Sequence, residues 1–142
     1  MSTAPLVFER TYNAPVSKVW TAITSKEQMK EWYFDVDGYK LEVGNVFTFS
    51  GGPPDGEQFL HICEILEVIP NKKLTHSWRY DGYAGNSVLT WELFSESDKT
   101  RVKLTHAGLD TFPADKPEFA VHNFNEGWAH ILGISFKDYL ER

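Results

Sequence analysis

Between residues 58 and 107, four segments in succession alternate apolar and polar side chains, and only short polar connections separate them. The segments are 58–69, 73–80, 87–95 and 100–107. The connections Pro70-Asn71-Lys72, Asp81–Asn86 and Glu96–Lys99 carry the residue types that hairpin turns need. Consecutive strands joined so tightly can only pair antiparallel, because a parallel crossover needs a dozen residues or more. The alternation also assigns the faces. Leu89, Trp91 and Leu93 share one face of their strand, Val102, Leu104 and His106 continue it on the next, and His76, Trp78 and Tyr80 are expected to join it from the strand before. His61 joins them unless a bulge after Cys63 reverses the strand.

The flanks complete the plan. Residues 5–12 (PLVFERTY) read as a further strand, stopped at Asn13-Ala14-Pro15. Pro15 suits the first turn of a helix over 16–24, and Ser25 can cap a second short helix over 26–32. Segments 39–43 and 46–50, joined by Gly44-Asn45, read as a small hairpin, which brings the expected sheet to seven strands. Gly51–Gly56 is loop by composition.

The strongest helical signal comes last. Val121, Phe124, Trp128, Ile131, Leu132, Ser135 and Tyr139 project into one arc at helical spacing, with His122, Glu126, His130 and Lys137 opposite. Either Pro117 opens this helix, or Asn123 caps it with Glu126 three residues on. A helix with one apolar stripe must bury it, and the sheet is the only surface large enough. The expected architecture is therefore one α+β domain over 1–142, in which a curved seven-stranded antiparallel sheet surrounds the long C-terminal helix.

Composition narrows the functional classes. The net charge is −6 with basic residues scattered, so no face suits a nucleic-acid backbone. No apolar run reaches the roughly 20 residues of a membrane span, and the N-terminus lacks the pattern of a secretory signal, so a cytoplasmic location is expected. The one cysteine, Cys63, excludes an internal disulfide and sits among alternating apolar neighbours as a buried filler. Aromatic residues reach 15%, enough to build a rigid core or to line a pocket for planar molecules.

Four stretches together carry a family resemblance: FERTYNAPVSKVWTAIT, EILEVIPNKKLTHSW, VLTWELFSESDKTRVKLTHAGL and NEGWAHILGISFKDYL. With APxxxVWxAIT, the IP turn before a strand ending in Trp, TRVxLTH and an EGW at the last helix in that order, the chain resembles the START-like (SRPBCC, helix-grip) superfamily. The nearest branch is the one named for the C-terminal domain of the activator of heat-shock protein 90 ATPase. The resemblance covers nearly the whole chain. It implies a cavity for lipids, sterols, polyketides or other apolar, aromatic-type molecules; a chaperone partner or a cyclase- or dehydratase-type activity are the alternatives. It implies no cofactor.

The cavity candidates are Trp32, Tyr33, His76, Trp78, Trp91, His106, Trp128, Ile131, Leu132 and Ser135. A small apolar ligand requires a hollow beneath the final helix, and solid packing from Trp128 through Tyr139 against the strands would leave it no room. His76 and His106 are either polar anchors, even an acid or base, or core histidines tied to neighbouring groups. The aromatic rings are either a cage or simply core. His122, Glu126 and His130 at steps of four mimic a metal-ligand set, but they lie on the solvent arc and the two imidazoles are two turns, about 12 Å, apart, so no metal site is expected. No nucleophile elbow, zinc-binding helix, phosphate loop or dinucleotide fingerprint is present, and no catalytic group is assigned.

Overall fold

A computed structural model describes residues 5–52, 56–113, 115–116 and 119–141. In chain order the elements are β1 (Leu6–Tyr12), α1 (Val16–Thr24), α2 (Lys26–Trp32), β2 (Val46–Gly51), β3 (Phe59–Ile69), β4 (Lys73–Tyr80), β5 (Ser87–Glu96), β6 (Lys99–Ala107), a short 3-10 turn at Leu109–Thr111, and a final helix. That helix runs as α3 (Val121–His130), a π turn (Ile131–Ser135) and α4 (Phe136–Leu140), with helical backbone angles across both junctions.

The strands form one open antiparallel sheet of six, ordered β1-β6-β5-β4-β3-β2. The seventh expected strand, 39–43, is absent. Gly38 and Gly44 take positive φ values of 73° and 92° and bend the chain at both ends of the segment, while Leu41 and Val43 stay exposed. Of the alternating Tyr39, Leu41 and Val43 only Tyr39 packs against the core, so the segment gains little from pairing. Gly44-Asn45 makes no hairpin either: the Gly44 amide donates to Ile65 O, and the Ile65 amide to Asn45 O, so this turn is tied to β3. A single bridge from Asp37 to Thr48 covers part of the free edge of β2.

The inner face follows the alternation. Leu74, His76, Trp78 and Tyr80 on β4, Leu89, Trp91 and Leu93 on β5, and Val102, Leu104 and His106 on β6 are all buried. On β3 the register slips between Ile65 and Glu67, which is beyond His61, so Phe59, His61, Cys63 and Ile65 all face inward. The two short helices close one end. Ser25 Oγ accepts the Gln28 amide at the start of α2, and Trp32 Nε1–H donates to Ala22 O at 2.9 Å, which pins α2 against α1.

The long helix departs from expectation in two respects. It begins at Val121 after Ala120, in extended conformation and with no side-chain cap; Asn123 lies inside the first turn, and Pro117 is outside the described residues. The π turn also inserts an extra residue, which rotates everything beyond it. Phe136 and Leu140, at 0% and 1% exposure, therefore occupy the buried stripe expected of Ser135 and Tyr139, which are only half-buried. The π turn loosens the carbonyl ladder, and the Tyr12 hydroxyl of β1 donates to Leu132 O at 2.7 Å. The Lys18 ammonium of α1 donates to Leu140 O at 2.8 Å near the helix end. Tyr12 and Phe136 meet edge to face at 5.0 Å.

Candidate functional site

A cavity of about 430 Å³ lies between β4 and the first two turns of the long helix. Strand β4 contributes Trp78 and Tyr80, alternate residues that the pleat turns inward; α3 contributes Asn123, Phe124, Gly127 and Trp128, and the π turn contributes Ile131. Phe34, just after α2, and Gly52, just after β2, close the remaining side. Among the described residues the wall has no acid, no base and one ionisable group, the Tyr80 phenol, whose pKa burial raises to about 12.

The hollow sits between the sheet and the helix. It lies beneath Asn123–Ile131, while the segment from Leu132 onward packs solidly: Leu132 and Phe136 are buried, and Trp32, Trp91 and Tyr12 surround the Phe136 ring. Of the cavity candidates, Trp78, Trp128 and Ile131 line this space. Trp32, Tyr33, His76 and Trp91 instead line a second void of about 10 Å³, the size of one water. Leu132 is core, Ser135 is half-buried, and His106 supports the wall from behind. Phe34, Gly52, Tyr80, Asn123, Phe124 and Gly127 are wall residues outside the candidate set. Tyr80 and Phe124 were legible as inward-facing, but Phe34, Gly52 and Gly127 carry no periodic signal.

Hydrogen-bond partners settle the state of His106. Trp128 Nε1–H can only donate, and it does so to His106 Nδ1 at 3.1 Å. Nε2 must then carry the proton, which it donates to Ser87 Oγ at 2.8 Å, and the Ser87 hydroxyl passes its own proton to Trp78 O at 2.8 Å. The chain Trp128–His106–Ser87–Trp78 ties helix to sheet directly behind the cavity. Protonating Nδ1 would set donor against donor. Burial, reinforced by His76, accordingly lowers the His106 pKa to about 3.

His76 and His61 are neutral for a similar reason. Each presents Nδ1 to a carbonyl, Ser77 O at 2.8 Å and Phe59 O at 3.0 Å, which fixes the proton on Nδ1, and burial holds both pKa values near 4. His61 stacks on Phe49 at 4.4 Å and meets the edges of Trp78 and Tyr80. All three histidines thus behave as uncharged packing groups with one or both nitrogens committed. Burial also keeps the Cys63 thiol protonated.

Tyrosines supply the remaining polarity. Tyr80 Oη accepts Trp78 Nε1–H at 3.0 Å. The hydroxyls of Tyr33 and Tyr39 are buried with no partner among the described residues, and burial pushes both phenol pKa values up. Tyr33 lies nearly parallel to Trp128, 17° apart with centroids at 6.3 Å, so its ring backs the cavity wall. His122 and His130 are exposed, and no group of three or more His, Cys, Asp or Glu side chains gathers among the described residues. Among the described residues no helix is long and apolar enough to cross a membrane.

Comparison with known proteins places this arrangement. Solved structures with the same fold include Mll3558 from Rhizobium loti, 22% identical with a TM-score of 0.82 over 96% of both chains. MLL2253 from Mesorhizobium loti is 27% identical with a TM-score of 0.78 over 97% of both chains. DynU16, a protein of the dynemicin biosynthetic locus, is 20% identical with a TM-score of 0.78; the alignment takes in 98% of this chain but 48% of DynU16, so the chain spans about half of that relative. A comparison with curated protein sequences gives no match. The family model described as activator of Hsp90 ATPase homolog 1-like protein matches residues 13–141, and with the sheet, the gripping helix and these neighbours in agreement, the chain belongs to that family, within the START-like superfamily.

Proposed function

We propose that this chain is a binding module for a small, uncharged, largely apolar molecule, held between β4 and the first half of the long helix. One observation carries the reading: a cavity of about 430 Å³ whose wall, among the described residues, is aromatic and free of acids and bases. That volume falls within the roughly 300–1,000 Å³ of small-molecule sites, and aromatic walls with few polar groups are their usual lining. A charged guest would lose its water with nothing to pair against, so neutrality follows from the same wall. A lipid, sterol, polyketide or smaller aromatic compound meets that description.

Gly127 is the place to test it. It lies within a helix, where glycine costs about 1 kcal/mol relative to alanine, and a Cβ built there meets nothing within 4 Å. Gly127 is exposed and borders the cavity from the helix side. The neutral dye N-phenyl-1-naphthylamine should brighten on binding the wild-type protein, and Gly127→Phe, which fills the space from the helix side, should abolish the signal while the far-UV circular dichroism is retained. A folded Gly127→Phe protein that binds the dye unchanged would remove the cavity from the account.

Acid–base catalysis gains little from the histidines, since His106 has both ring nitrogens in hydrogen bonds within the protein. A chaperone contact is the second reading, favoured by the family description and by exposed apolar side chains on β2 and β3: Val46, Leu60 and Leu66. Stimulation of a chaperone ATPase by the wild-type chain, lost in Leu60→Ser/Leu66→Ser, would support it; no stimulation at all would count against it.

A further inference from the structure

We propose that His106 is a positioning residue for the guest: it holds Trp128 at a set angle to Trp78, so that the cavity takes a rigid planar ring system in preference to a flexible chain. This rests on the small-molecule reading above and narrows it to a class of shape. His106 is buried and is not itself a wall residue, but it touches both indoles that are, with ring centroids 5.3 Å from Trp78 and 6.0 Å from Trp128. Its Nδ1 accepts Trp128 Nε1–H at 3.1 Å, and Ser87 Oγ, 2.8 Å from Nε2, keeps the imidazole in the tautomer that can accept. Turning the Trp128 side chain would break that bond and strand two buried polar groups.

Trp78 is fixed in the same manner. Its Nε1–H donates to Tyr80 Oη at 3.0 Å, and the rings of Phe49 and His61 stand against it at 5.5 and 5.0 Å between centroids. The two indoles therefore meet at 58°, with 5.7 Å between centroids, and neither has an N–H left for the guest. What they offer is a wedge of carbon faces set before any guest arrives. A flat ring can lie offset on one indole and turn its edge to the other, the two geometries in which aromatic pairs attract. A flexible chain gains similar apolar burial but loses rotamer freedom in fitting a wedge that does not yield, so a wall fixed in advance favours the rigid guest.

The test displaces N-phenyl-1-naphthylamine with 2-naphthol or with 1-octanol, two neutral molecules of similar hydrophobicity with one hydroxyl each, one flat and one flexible. Wild-type protein should bind 2-naphthol the more tightly. His106→Leu keeps an apolar side chain in place but takes the acceptor from Trp128 Nε1–H, and it should reduce the naphthol-to-octanol affinity ratio by about fivefold, the worth of one hydrogen bond. His106→Asn is no larger, yet its Oδ1 can stand where Nδ1 stood. It should melt no higher than the leucine variant and still recover most of the ratio, which a purely structural role would not produce. Ser87→Ala keeps the imidazole and unlocks its tautomer, so it should move the ratio the same way by a smaller factor, and it takes the place of His106→Leu if that variant does not fold. No preference in wild type, a ratio unchanged in the folded variant, or an asparagine variant that behaves as the leucine one overturns the proposal. If the dye binds wild type and only the ratio fails, the small-molecule reading stands and the role of His106 falls; if the dye does not bind wild type, the small-molecule reading itself falls and this proposal with it.

Discussion

The two halves of the last helix face the same sheet and do opposite things. From Leu132 to Leu140 the interior is filled, with Phe136 at 0% exposure between Tyr12, Trp32 and Trp91. From Asn123 to Ile131 the same stripe stands off from β4 and leaves a hollow. Propensity does not separate the halves; what separates them is the π turn, which rotates Phe136 and Leu140 onto the sheet, and Gly127, which withholds a side chain from the other half. One half of the helix anchors the fold, and that leaves the other free to remain unfilled.

Acid should expose this asymmetry most strongly. His61, His76 and His106 are all buried on the sheet face, two of them against Trp78, whereas the Leu132–Leu140 half buries no histidine of its own. Each is held neutral in the folded state, at about 4, 4 and 3 against an ordinary 6.5, while the unfolded chain takes up protons near 6.5. The unfolded state therefore binds more protons, so stability is complete above pH 6.5 and declines as pH falls toward the folded values. Each histidine contributes about 1.4 kcal/mol per pH unit through that window. Urea midpoints should drop steeply between pH 7 and 5, with hydrogen exchange rising first on β4 and β6. A flat profile would mean that the histidines are not held neutral.

Truncation gives the next largest contrast. Phe136→Ala opens a void in a filled region and is expected to cost about 4 kcal/mol, near the upper range for such changes. Phe124→Ala, at a residue that already borders empty space, should cost about half as much. Equal losses in denaturant titration would contradict the division of the helix.

That division was only partly legible in the sequence. Alternation along 73–107 identified His76, Trp78, Tyr80, Leu89, Trp91 and His106 as inward-facing, because a pleated strand leaves no freedom in which side a residue takes. A single helical period carried through 139 misplaced the end of the helix, since a π turn leaves no mark in the spacing until its tertiary partner, here the Tyr12 hydroxyl, is known. Segment 39–43 had strand composition without a buried face, and two glycines decided against it. The cavity was the least visible feature. It depends on what is missing at Gly127 and on where Phe34 falls after α2 ends, and neither is a periodic property.

Smaller changes probe the π turn itself. Tyr12→Phe removes the hydroxyl that holds Leu132 O and keeps the ring against Phe136, so the expected loss is about 1–2 kcal/mol, that of a buried hydrogen bond whose acceptor is left unsatisfied. Thermal melts of the two proteins would register it.

The mildest contrast sets the two helix glycines side by side. Gly127→Ala adds a methyl into open space and relieves the entropy of an interior helical glycine, so it should stabilise by up to about 1 kcal/mol. Gly133→Ala offers the same relief on paper, but its Cβ would come within 3.0 Å of the Arg10 Nη2 atom, in contact with β1. Arg10 is long and can yield, which spends part of the gain and brings the expected effect close to zero. The order of the two melting temperatures, Gly127→Ala above wild type and Gly133→Ala near it, reads the difference between an unfilled and a filled half directly. If Gly133→Ala stabilised as much as Gly127→Ala, the far half would have slack of its own, and the reason for placing the guest near Asn123–Ile131 would weaken.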